Sequence, residues 1–101
     1  SDRTLKVAKR FMGTEEFMEL MQDADPKIST ICWSAKEALY KIIGNPVVDF
    51  RKTIRIAPFS LAESGTLTAR ILFDANLQYN LNYLIFDNVV LVWIQTYRTI
   101  C

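Results

Sequence analysis

The chain has 101 residues, half of them hydrophobic and 12% aromatic, with a formal net charge of +1 and no histidine. That length holds one domain with one core, and so apolar a composition excludes disorder. Near-neutrality provides no whole-molecule field to attract nucleic acid or an anionic membrane, and the missing histidine removes the commonest general base and most zinc sites.

The first 44 residues read as helices. Leu5, Ala8, Phe11 and Met12 fall at helical spacing, with Arg3, Lys6 and Arg10 on another face. Gly13-Thr14 interrupts the pattern, because glycine weakens a helix interior and threonine caps the next one. A second helix then runs to about Asp23, opening on Glu15 and Glu16, where the helix dipole favours negative charge. Asp25-Pro26 restarts the chain: an N-cap acceptor precedes the residue best tolerated at the first helical position. Ile28, Ile31, Ala35, Ala38 and Ile42 continue as one stripe with Cys32, Leu39 and Ile43 beside it, until Gly44 and Pro46 stop the helix. A later start at Ser34, where Ser-Ala-Lys-Glu has capping-box spacing, would break that stripe.

After Asn45-Pro46 the period changes to two. Residues 53–57 (TIRIA) alternate and end at Pro58, and residues 60–65 (SLAESG) read as a connection. From Leu67 to Leu81 every odd position is apolar. Fifteen extended residues would span about 50 Å, far more than a usual strand. A single strongly curved strand is therefore expected, bulged at Asp74-Ala75-Asn76 and turning at Asn80-Leu81-Asn82. Residues 83–86 (YLIF) and 89–98 (VVLVWIQTYR) follow, separated by Asp87-Asn88, which tolerates the positive φ of a tight hairpin. The last strand is apolar on both faces, which calls for cover on both sides or for a partner.

Chemical signatures are sparse. Three scattered glycines cannot build a phosphate loop. Glu15, Glu19 and Asp23 form an i, i+4 row of the kind that more often solvates a helix than holds a cation. Glu37, Asp49, Glu63, Asp74 and Asp87 are dispersed, so spacing nominates no carboxylate pair. Cys32 and Cys101 have neither CxxC nor metal-ligand spacing, and Cys32 beside the apolar stripe reads as an inert core thiol. Arg3, Lys6 and Arg10 form a ridge able to meet phosphates, joined by Arg51, Lys52 and Arg55 if those lie nearby. Trp33, Tyr40, Tyr79, Tyr83, Trp93 and Tyr97 are aromatic candidates for an interface. Met12, Met18, Met21, Phe73 and Leu77 are candidates for an apolar pocket between helices and sheet.

The sequence thus predicts one α+β domain over residues 1–101: three N-terminal helices (about 3–44) packed on a curved antiparallel sheet of three to four strands (about 47–100). Without a catalytic motif, the expected function is non-enzymatic. It is a protein-binding or assembly module, a homo-oligomer or one with a protein partner, using Val90, Val92, Trp93, Ile94 and Tyr97. The alternatives are nucleic-acid binding through Arg3, Lys6 and Arg10, or an apolar-ligand pocket. No cofactor, metal or membrane is expected. Lacking a signal peptide and a run of about 20 apolar residues, the chain reads as soluble and cytoplasmic.

Overall fold

The computed structural model describes residues 2–44, 49, 51–72 and 77–95. Among these, helices α1 (Asp2–Phe11), α2 (Thr14–Leu20) and α3 (Pro26–Ile43) precede strands β1 (Ile54–Ile56), β2 (Ser64–Ile71), β3 (Gln78–Phe86) and β4 (Val89–Ile94). The strands form an antiparallel meander in the order β1-β2-β3-β4, curved into a half-barrel with the helices packed against it. This is the α+β architecture the patterning predicts.

Local chemistry explains the helix ends. Gly13 is the N-cap of α2 in extended conformation, and its N–H donates to Glu16 Oε1 at 3.1 Å, one half of a capping box. The helix stops at Leu20, short of Asp23, because the chain turns through Ala24 at positive φ with its N–H on the Met21 carbonyl. Asp25 Oδ1 then accepts the Lys27 N–H at 2.8 Å, and Gly44 closes α3 at φ 63°, its N–H on the Tyr40 carbonyl. The buried face of α3 is Ser29, Ile31, Cys32, Ala35, Lys36 and Leu39. It is rotated slightly from the predicted stripe, which leaves Ala38 half-buried and Ile42 exposed.

The core is one cluster. Ala8, Met12, Leu20, Met21, Ile31, Ala35 and Leu39 from the helical side meet Ile54, Ile56, Leu67, Ala69, Ile71 and Leu81 from the sheet. Tyr83 closes one end: its hydroxyl donates to the Ser60 carbonyl and accepts the Ala62 N–H.

The alternation of residues 67–81 does not belong to one curved strand. β2 and β3 are separate and antiparallel, with Leu67 opposite Leu81 and Arg70 opposite Gln78. The chain therefore reverses between Leu72 and Leu77; the expected bulge at 74–76 lies outside the described residues, and Asn80-Leu81-Asn82 is strand interior. The reason the sequence misleads is parity. In this register odd residues face odd residues, so the inward set stays odd on both sides of the turn. The Asp87-Asn88 turn forms as predicted, both residues at positive φ, 46° and 65°.

β4 is an edge strand with two unlike faces. Val90, Val92 and Ile94 are half-buried and pack on the core, while Val89, Leu91 and Trp93 point outward, each about half exposed. The structure thus divides the predicted interface set; Tyr97 lies outside the described residues. Among the described residues, no helix is long and apolar enough to cross a membrane.

Candidate functional site on α3

Two charged side chains that are not among the predicted site residues are buried in the interior. Lys36 on α3 has no solvent exposure and Glu16 on α2 has 2%. Lys36 Nζ donates to Glu16 Oε1 at 2.6 Å and to the Phe11 carbonyl at 2.8 Å, and lies 3.5 Å from the Arg51 carbonyl. The second carboxylate oxygen, Oε2, accepts the Ile56 N–H of β1 at 2.5 Å. One ion pair therefore ties together the end of α1, the first turn of α2, the middle of α3 and β1. Burial holds the Lys36 ammonium below the ordinary lysine range, opposed by the facing Glu16. Among the described residues no buried side-chain nitrogen or oxygen lacks a hydrogen-bond partner, as a buried polar network requires. The signal was present in the sequence: Glu16 stands midway between Met12 and Leu20 at i±4, and Lys36 stands four after Cys32 and three before Leu39. Each is a charge inside an apolar stripe.

With Lys36 turned inward, its neighbours turn outward. Thr30, Trp33, Ser34, Glu37, Ala38 and Lys41 line an open cleft of about 460 Å³ along α3. Glu37 is half-buried and Lys41 exposed, and they stand one helical turn apart. Neither is ion-paired among the described residues. Trp33 is 41% exposed, and its ring lies 6.4 Å from that of Phe11. A carboxylate, an ammonium, two hydroxyls and an aromatic wall thus share one face.

The other predicted groups do not line this cleft. Arg3, Lys6 and Arg10 are exposed along α1. Arg51 donates through Nε to the Met12 carbonyl at 3.0 Å, while Arg55 donates to Glu15 at 3.1 Å and to Glu19. The acidic row of α2 is therefore occupied by an arginine from β1. Asp49 accepts the backbone N–H groups of Arg51 and Lys52, and these hold its carboxyl below the usual range. Met12 and Met21 are buried in the core and Met18 is 66% exposed. Met12 and Met18 of the predicted pocket set share a recess of about 150 Å³ with Lys9, Thr14, Phe17 and Arg51; Phe73 lies outside the described residues. Cys32 is a free thiol, fully buried. Among the described residues no cluster of three or more metal-ligand side chains occurs.

A family model of the 4′-phosphopantetheinyl transferase superfamily matches residues 1–94, and the chain belongs to that superfamily. No curated protein and no solved structure matches it. Membership of a transferase family overturns the expectation of a non-enzymatic assembly module. That expectation rested on missing histidine and missing motifs. Phosphoryl-type transfer needs neither, because positioning and electrostatics supply most of its catalysis.

Proposed function

We propose that this member of the superfamily takes part in transfer of a 4′-phosphopantetheinyl group, with the outer face of α3 as its reactive surface. The family match over residues 1–94 carries the reading. The chemistry is a displacement at phosphorus. An acceptor oxygen forms a new P–O bond, the bond from phosphorus to the donor's leaving oxygen breaks, and the acceptor gives up a proton.

The cleft on α3 holds groups suited to each part of that displacement. Glu37 is a carboxylate at the cleft surface, able to take the acceptor's proton as general base. Lys41, one turn along, offers a cation to the phosphate oxygens, whose charge must be held in place during displacement. Ser34 adds a hydroxyl donor, the Thr30 hydroxyl donates to the Pro26 carbonyl and offers only its oxygen, and Trp33 gives an apolar wall for the uncharged arm of the group. Divalent cations commonly assist such transfers. The described residues form no complete ligand set for one, and Glu37 is the carboxylate of this face that would contribute to it. The protein partner expected from the sequence becomes, in this reading, the acceptor. A reducing, intracellular setting suits it, with Cys32 kept as a thiol.

The test uses coenzyme A, which carries the group on a diphosphate, and an apo-protein whose mature form bears the group on a serine. Intact-mass spectrometry should show the acceptor gaining one phosphopantetheinyl group. Glu37→Gln should lower kcat about 10²-fold or more. Lys41→Ala should weaken donor use about tenfold, as loss of a charge-assisted contact. Absence of transfer by the intact protein, or full activity in Glu37→Gln, would refute the assignment.

A further inference from the structure

The Glu16–Lys36 pair is costly to keep. Two charges withdrawn from water lose hydration that their mutual attraction at best restores, and apolar residues of similar volume often do as well or better for stability. The pair therefore needs a reason beyond holding the fold together, and its contacts supply one.

Lys36 immediately precedes Glu37. Its ammonium is fastened at 2.6 Å to α2 through Glu16 and at 2.8 Å to the Phe11 carbonyl at the end of α1. Glu16 is fastened in turn to its own cap, Gly13, and to the Ile56 N–H of β1. The rest of the buried face of α3 is Ser29, Ile31, Cys32, Ala35 and Leu39. Apolar contacts among these are non-directional, and they tolerate a small rotation of the helix about its axis. The hydrogen bonds at Lys36 do not, because their distances and angles are narrow. A second link runs along the same line: Phe11, whose carbonyl Lys36 holds, sets its ring against Trp33 on the outer side of α3.

We propose that Glu16 and Lys36 are positioning residues, a buried lock on the rotation of α3 that aims Trp33, Glu37 and Lys41 at the reacting groups. The inference rests on the transfer reading above. Lys36 is fully buried and points away from the cleft, so it is not itself a phosphate ligand.

The test is made in a Trp93→Phe background, which leaves Trp33 as the remaining tryptophan. Two variants are compared with that parent. In Glu16→Gln/Lys36→Met, the amide oxygen keeps an acceptor for the Ile56 N–H and the methionine fills the space of the lysine stem. Glu16→Asp keeps the charge but withdraws it from Lys36 by one methylene, and serves where the double variant does not fold. Melting temperature, Trp33 emission and steady-state transfer from coenzyme A are measured on each. The expected result is a folded protein with displaced Trp33 emission, whose kcat falls about tenfold or more while KM for coenzyme A stays within about threefold.

Parental emission and kcat in a folded variant would overturn the proposal. So would a loss of activity that follows melting temperature alone and returns on cooling, since that marks a purely structural pair. If the parent transfers nothing, the transfer reading fails, and Trp33 emission alone decides whether the pair sets the orientation of α3.

Discussion

At Cys32 a thiol with no solvent exposure sits beside the Glu16–Lys36 pair. Burial first, and then the Glu16 charge, push it from an ordinary 9.0 up to about 12. In the unfolded chain the thiol gives up its proton from about pH 9, while the folded protein retains it, so the unfolded state binds fewer protons over that interval. Stability therefore falls as pH rises from 9 towards 12. Lys36 works in the opposite sense: its folded form lies below 10.5, so its contribution rises with pH up to that value. Urea midpoints of the native chain and of Cys32→Ala, measured from pH 8 to 11, should separate the two. The variant should lose the decline that starts near pH 9 and show the Lys36 rise more plainly. Parallel curves would contradict the buried thiol. The same burial makes Cys32 inert, and alkylation at pH 8 should require unfolding.

Among the elements, the β2–β3 pair depends on one close approach. Gly65 faces Tyr83 across the ladder, and a Cβ built on Gly65 would lie 2.9 Å from the Tyr83 hydroxyl. That hydroxyl is not free to retreat, because it is bonded to both Ser60 and Ala62. Gly65→Ala should therefore cost about 1–3 kcal/mol by forcing the ring off its site. Tyr83→Phe should cost only about 1 kcal/mol, the worth of its hydrogen bonds. Thermal melts of both variants check the order. The hairpins also mark the limit of what alternation reveals. Asp87-Asn88 was readable because its residue types tolerate positive φ. The reversal between β2 and β3 was hidden, because a register that pairs Leu67 with Leu81 leaves the alternation in phase.

For the whole molecule, the question is which side of each element is inside. β4 illustrates it: six consecutive apolar residues give no phase, and only packing on the core decides that Val92 is in and Leu91 out. Val92→Asp should accordingly cost several kcal/mol or prevent folding, as an unpaired charge pressed into a core does. Leu91→Asp on the same strand should change stability by less than about 1 kcal/mol. Equal penalties, read from chemical denaturation, would show that the strand is set in the other phase. Helix α3 poses the same question with functional weight. Turned by one residue so that Glu37 took the place of Lys36, it would set one carboxylate against another, Glu37 on Glu16.

Sequence alone was sufficient for whatever is encoded within a few neighbouring residues. The caps at Asp25 and Gly44, the restart at Pro26, the Asp87-Asn88 turn and the change of period near residue 46 all follow from local backbone preferences, and together they fix an α+β chain with helices first. The pairing of Glu16 with Lys36, the engagement of Glu15 and Glu19 by Arg55, and the outward face shared by Trp33, Glu37 and Lys41 belong to the tertiary structure. They join residues 20 to 40 positions apart, or depend on which way a helix is turned. Charge, unlike hydrophobic period, carries no local record of the partner it will meet.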